Sequence, residues 1–212
     1  MGTIHLIRHG QASWGAADYD QLSELGFEQS GALGISWEAS GWSPTDAVAG
    51  SMKRHAQTAI ATIDAYGGDG YDVDAGWDEF DHLALARAHD PASLQQDAKA
   101  FQASLNSAIT LWMGGESTEG EAFSDFRSRV LAAFELVVSQ ATSGRSIAVF
   151  TSGGPIALVV SQLLTGDDSL FQRLNDVMVN ASVTTVISGR SGPRLLAFNE
   201  HVHLPRDMVT FR

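Results

Sequence analysis

The chain has 212 residues, 44% of them apolar and 18% charged, enough for one sizeable globular unit with a well-buried core. Thirteen Lys and Arg against 25 Asp and Glu give a formal charge of −12, so nucleic acid and anionic membrane, which need a positive footprint, are not expected partners. The absence of cysteine excludes disulfides, thiolate catalysis and cysteine-ligated zinc.

Residues 3–8 read as a short buried strand that ends abruptly in Arg8-His9-Gly10. A polar loop follows, then an amphipathic helix from Ser23 to about Gly41, with Leu25, Ala32, Leu33 and Trp37 at helical spacing. A second strand is expected over 45–51. The helix expected over 53–66 places Ala56, Ala59, Ile60 and Ile63 on its apolar face. The segment 67–76 is turn-rich. Asp90-Pro91 reads as a helix start, and amphipathic helical patterns cover 91–113 and 121–141. Residues 145–154 form a buried strand closed by two glycines. Pro155 suits the first turn of the next helix. A short helix over 167–175 and strands over 181–188 and 194–199 finish the pattern.

Strands alternating with helices predict an α/β fold with a mostly parallel sheet. The chain reads as a single domain over 1–212, with a helical insertion at about 77–141. No apolar run reaches the ~18 residues of a membrane span. The first ten residues lack the basic start and cleavage site of a secretory signal, so a cytoplasmic location is expected.

In open α/β sheets the site lies beyond the carboxyl ends of the strands. Three such ends carry unusual chemistry: Arg8-His9-Gly10, Gly50-Ser51 leading to Arg54, and Ser152-Gly153-Gly154. Arginine presents a planar fork that matches phosphoryl oxygens. Gly153 and Gly154 open a helix, whose free N–H groups attract an anion. These features describe an oxyanion cage. His9 inside it is a candidate nucleophile, kept neutral by its cationic neighbours. A general acid is also required, and the loop "WDEFDH" offers Asp78, Glu79 and Asp81. No nucleotide-binding glycine loop, GxSxG elbow or HExxH spacing is present, so no cofactor and no metal site are expected.

Several stretches resemble the histidine phosphatase superfamily, which includes the cofactor-dependent phosphoglycerate mutases. "LIRHGQ" looks like its signature, and "YDQLSELGFEQS" (19–30) resembles its "LTelGreQA" segment. "SMKRHAQTA" resembles "RAxQTA", and "DEFDH" the loop of the proton donor. "GEAFSDFRSRV" is similar to "GESxxDfxxRV", "VFTSGGPIA" to "VVsHGGxIR", and "NASVTTV" to "NtSvt". The resemblance implies a three-layer α/β/α sandwich and phosphoryl transfer to His9 followed by hydrolysis, without metal. It makes Arg8, Arg54, Ser152 and Gly153 phosphate-binding residues. It makes Glu79 the proton donor, with Asp81 the alternative if the short loop aligns one or two positions differently.

Two positions depart from the family pattern. Ser152 stands where "HGG" carries a second histidine, and Gly15 where "RHGETxWN" ends in asparagine. Losing the histidine removes a charge-assisted bond worth ~1.5–3 kcal/mol. His82 is the leading candidate to replace it, ahead of His203. His55 is expected to point about 100° away from Arg54 around the helix, and His5 to pack in the core or at its edge. Trp14 and Phe80 sit on loops that would frame a pocket, with plain packing an equal alternative. Glu121 and Arg129 are expected to pair.

The implied activity is hydrolysis of a phosphomonoester, on a phosphorylated small molecule or a phosphoprotein. The alternative is a catalytically degraded, phosphate-binding regulatory protein. A true mutase needs further cations in the insertion, and residues 77–126 hold only Arg87 and Lys99. Nothing in the sequence specifies an oligomeric state.

Overall fold

The computed structural model describes residues 1–13, 20–92, 98–116 and 120–211. A six-stranded sheet runs in the order β3-β2-β4-β1-β5-β6. Its strands are β1 (Gly2–Arg8), β2 (Asp46–Ala49), β3 (Asp72–Val73), β4 (Ser146–Thr151), β5 (Val183–Gly189) and β6 (Gly192–Glu200). β1, β4, β2 and β3 pair in parallel. β5 lies antiparallel to β1 and forms a hairpin with β6. β4 is the central parallel strand and is buried at all six positions, as a strand covered on both faces must be.

The helices are α1 (Glu24–Ala39), α2 (Lys53–Tyr66), α3 (His82–His89), α4 (Ala98–Met113), α5 (Phe123–Gln140), α6 (Gly153–Thr165) and α7 (Phe171–Asn175). On one face of the sheet Ile7, Ala49, Ala148 and Phe150 pack with Leu33 and Trp37 of α1 and with Ala59 and Ile63 of α2. On the other, Ile4, Leu6, Ile147 and Val149 pack with α5, α6 and the aromatic cluster beneath α3 and α4. Alternation along β1 sends Ile4 and Leu6 one way and His5 and Ile7 the other. The result is a three-layer α/β/α sandwich. His5 packs edge-on against Trp42, ring centroids 4.8 Å apart, and burial lowers its pKa to about 4.

Helix boundaries follow local chemistry. Ser23 caps α1 by accepting the Gly26 N–H at 3.1 Å. Asp20 serves α2 from outside, accepting the Lys53 N–H at 2.9 Å. α4 is assigned from Ala98, and the residues between Ala92 and Ala98, where the expected helix would continue from Pro91, lie outside the described ones.

The buried face of α2 corrects the expectation. It comprises Arg54, His55, Thr58, Ala59, Thr62 and Ile63, while Ile60 is 49% exposed. The face is turned because two threonines are satisfied inside: the Thr58 hydroxyl donates to the Arg54 carbonyl and accepts the Gly10 N–H, and Thr62 donates to the Ser30 carbonyl. His55 lies on this buried face as well and is fully enclosed.

Candidate active site

The carboxyl ends of β1, β2 and β4 open on a cleft of about 450 Å³. Arg8, His9, Arg54, Glu79, Phe80, His82 and Gly153 all line it, so one wall gathers residues spread over most of the chain.

His9 is 7% exposed. Its Nδ1 lies 2.7 Å from the Gly10 carbonyl, which only accepts, so Nδ1 carries the proton and Nε2 the lone pair. Its backbone is fixed as well: the N–H donates to the Thr151 carbonyl at 2.8 Å, and its carbonyl accepts from the Ala181 N–H and the Asn180 amide. Burial, followed by the charges of Arg54 and Arg8, holds the imidazole well below its usual pKa. A neutral, oriented imidazole follows.

Arg8 reaches past the strand end to donate to the carbonyls of Met178 and Phe211. Arg54 is 3% exposed, and its Nη1 pairs with Asp20 at 2.8 Å. Asp20 thus orients both the start of α2 and its arginine.

Glu79 sits across the cleft on the loop before α3. Thr151 anchors that loop to β4 by donating to the Trp77 carbonyl. Arg129 grips it from α5: it forms a two-pronged pair with Glu121 at 2.6 and 2.8 Å and donates to the carbonyls of Gly76 and Asp78. The expected Glu121–Arg129 pair is therefore present and also braces the acidic loop. The Glu79 carboxyl accepts the Gly154 N–H at 3.1 Å and its neighbour Phe80 N–H at 3.2 Å. Burial raises its pKa despite those bonds and the nearby arginines.

Asp81 is exposed and caps α3, accepting the Ala84 N–H at 2.9 Å. His82 lines the cleft, its pKa lowered to about 4 by burial and by Arg54. Phe80 both lines the cleft and stacks on Trp112 with centroids 4.7 Å apart, so pocket wall and packing coincide. Trp14 and Gly15 lie outside the described residues. His203 is absent from the cleft lining, and burial lowers its pKa to about 4.

Ser152 is fully buried and caps α6 in position only, because its side chain makes no capping bond. Its Oγ lies 2.7 Å from Nε2 of His55 instead. The other nitrogen of His55 lies 3.6 Å from Asp78, which accepts from both the N–H and the hydroxyl of Ser51. The His55 and His9 ring centroids are 6.0 Å apart. Sequence reasoning missed His55 and the role of Asp78. The available signal was the spacing of His55 with Thr58, Ala59 and Thr62, a helical face once threonine is counted as buriable. It also missed Asn175, Asp176 and Phe211, which complete the cleft from the distal part of the chain.

Among the described residues no group of three or more His, Asp and Glu is placed to hold a metal ion, and no helix is long and apolar enough to cross a membrane.

No curated protein matches the chain. Solved structures of the same fold include a mutant phosphoserine phosphatase from Entamoeba histolytica in complex with phosphoserine. It is 18% identical, with a TM-score of 0.69, over 97% of this chain and 100% of that one. A phosphoglycerate mutase from Bacillus anthracis is 17% identical with a TM-score of 0.67, over 95% and 94% of the two chains. A mycobacterial glucosyl-3-phosphoglycerate phosphatase is 20% identical with a TM-score of 0.65, over 95% and 100%. The model of the histidine phosphatase superfamily (branch 1) matches residues 4–201, nearly the whole chain, and the chain belongs to that superfamily.

Proposed function

We propose that the protein is a phosphomonoesterase that works through a phosphohistidine at His9, the whole chain forming one domain with an insertion at about 77–141. The observation that carries this reading is the state of His9: buried, neutral, with Nδ1 tied to the Gly10 carbonyl, between two arginines and facing the same cleft as Glu79.

In the first step Nε2 of His9 attacks phosphorus and the ester P–O bond breaks. Glu79, whose pKa burial raises, acts in its protonated form and gives its proton to the leaving oxygen. Arg8, Arg54 and the Gly153 N–H bind the equatorial oxygens, where transition-state charge spreads. Water then attacks the phosphohistidine, the Glu79 carboxylate takes its proton, the N–P bond breaks and inorganic phosphate leaves. No step calls for a metal or an organic cofactor.

The substrate is a phosphorylated small molecule or a phosphoprotein, the relatives named above acting on small phosphorylated metabolites. Arg8 and Arg54 are the only lysines or arginines lining the cleft among the described residues, which disfavours a mutase that must retain a bisphosphate. Turnover of a panel of phosphate esters by the wild type, with His9→Ala as control, tests the reading. Loss of at least 10³-fold in turnover is expected, on the scale seen when a covalent nucleophile is removed, and activity unchanged by the substitution removes His9 from the role.

A second reading is supported by Ser152, which we take to stand where the family carries its second histidine: a regulatory protein that binds phosphate-bearing ligands without turning them over. Tight phosphate binding with no hydrolysis of any ester in the panel is its signature.

A further inference from the structure

Ser152 presents a puzzle of hydrogen-bond direction. It occupies the N-cap position of α6, where a serine ordinarily accepts a first-turn N–H, yet its hydroxyl is turned to His55. Behind His55 stands Asp78, itself oriented by two bonds from Ser51. Space for this pairing comes from Gly50, where a Cβ would lie 2.3 Å from Nδ1 of His55 and 2.7 Å from the Asp78 carboxylate. In front, Ser152 lies just beneath the cleft surface, fully buried and not itself a lining residue, next in the chain to Gly153, which lines the cleft. His9 flanks His55 with ring centroids 6.0 Å apart. Three side chains from three separate segments thus form a line, partly exposed at Asp78 and fully buried at His55 and Ser152, that runs towards the cleft.

We infer that Asp78, His55 and Ser152 form a proton-responsive donor relay, in which His55 takes up a proton when a tetrahedral dianion enters the cleft and thereby turns the Ser152 hydroxyl onto it. The inference rests on the phosphate-site reading above, and on Ser152 occupying the place of the family's second histidine. It assigns to His55 a positioning role, exerted through the serine.

The direction of each bond follows from the proton count. With His55 neutral, its N–H is best placed on Nδ1, facing the Asp78 carboxylate, and Nε2 accepts from the Ser152 hydroxyl. In that state the serine proton points away from the cleft and has nothing to donate there. Protonation of Nε2 reverses the bond: Nε2–H now donates to Oγ, and the serine O–H is released to donate to a phosphoryl oxygen. The arriving dianion stabilises the imidazolium, and Asp78 already carries the compensating negative charge.

The groups facing His55 set its poise. Burial is the largest influence and lowers its pKa; Arg54 on its own helix lowers it further, whereas Asp78 and Asp20 raise it. His9, across from it, is neutral. The net lowering leaves His55 neutral in the empty cleft near neutral pH, and a dianion opposes both the burial penalty and the Arg54 charge. The relay therefore delivers through a serine the charge-assisted bond that a histidine at 152 would make directly.

Tungstate, a tetrahedral dianion across the neutral range, is the probe. The full chain carrying ¹⁵N-labelled histidine is titrated with it at pH 7.5, and the ring nitrogens of His55 are followed. The expected result is a neutral pattern in the free protein and an imidazolium pattern in the complex. Ser152→Ala, which removes only a hydroxyl, is expected to weaken tungstate binding about tenfold and leave His55 neutral in the complex. His55→Gln is expected to weaken it to a similar degree, and the double variant no further. Tungstate bound by the wild type with His55 still neutral, or bound equally well by Ser152→Ala, overturns the relay and leaves the phosphate-site reading standing. Failure of the wild type to bind tungstate overturns both. If His55→Gln does not fold, the wild-type spectra and Ser152→Ala decide the matter alone.

Discussion

Glu79 and Gly154 are in direct contact: the carboxyl accepts the Gly154 N–H at 3.1 Å, and a Cβ at 154 would lie 2.1 Å from its other oxygen. The glycine therefore sets where the Glu79 carboxyl, the proposed proton donor, stands. Gly154→Ala is expected to push Glu79 off its position and the Phe80 ring with it, costing about 1–3 kcal/mol of stability through overpacking. Turnover is expected to fall by about 10²-fold, because a donor displaced by an ångström no longer reaches the leaving oxygen. Thermal unfolding and ester hydrolysis, measured on the same preparation, separate the two effects.

The leaving group should report on Glu79. Glu79→Gln keeps the shape and the acceptor oxygen but cannot give up a proton. Hydrolysis of alkyl phosphates, whose alkoxide is a poor leaving group, is expected to fall by about 10²–10⁴-fold. Aryl phosphates with acidic phenols should lose far less. Equal losses on both classes would remove Glu79 from the donor role.

In the proposed reaction the active form holds His9 neutral and Glu79 protonated. His9 is held well below its usual pKa and Glu79 is raised, so the acid limb of kcat/KM is expected below the pH of an ordinary histidine and the alkaline limb above that of an ordinary glutamate. Arg54 lowers both groups. Arg54→Met is thus expected to move the acid limb and the alkaline limb to higher pH together, besides raising KM. A profile of kcat/KM against pH for both proteins checks it.

Three histidines other than His9 predict acid sensitivity of the fold. His5, His82 and His203 have pKa values lowered to about 4 by burial, against 6.5 in the unfolded chain. Between those values the unfolded chain binds more protons, so stability falls as pH drops below 6.5 and the loss is complete near pH 4. For His5 alone, going from pH 7 to pH 5 is expected to cost ~2 kcal/mol. Urea unfolding at the two pH values, with the non-titrating His5→Phe as comparison, measures the share that belongs to His5.

Arg129 braces the acidic loop through two carbonyls and a two-pronged pair with Glu121. Arg129→Lys keeps the charge but lacks the fork. It is expected to lose about 1–2 kcal/mol of stability and a larger fraction of turnover than of phosphate affinity. The loop it holds carries Glu79, the proposed proton donor, whereas Arg8 and Arg54 bond to other segments.

Much of the fold was legible because apolar spacing and strand-end glycines act locally. β1, α2 and β4 fall at or within a few residues of their expected limits. Arg8, His9, Arg54, Glu79 and Gly153 meet in one cleft because each follows a strand end or the loop beside one. The relation of His55 to Ser152 was not legible. Counting apolar residues turned α2 towards Ile60, whereas hydrogen bonds inside the molecule make Thr58 and Thr62 the buried positions. A bond between residues 97 positions apart leaves no local periodicity to read. The antiparallel course of β5 was hidden for the same reason, since strand direction depends on which neighbour is met and not on the strand's own pattern.

The hydrogen bond from Arg8 to the Phe211 carbonyl joins residues 203 positions apart. Contacts of that span form late, after the loop-closure entropy of everything between them has been met. Until then Arg8 lacks one of its two carbonyl partners and the cleft lacks its Phe211 side, whatever the state of the sheet. Recovery of phosphate binding during refolding should accordingly lag behind recovery of helix signal, so the anion site doubles as a gauge of whether the two distant ends of the fold have met.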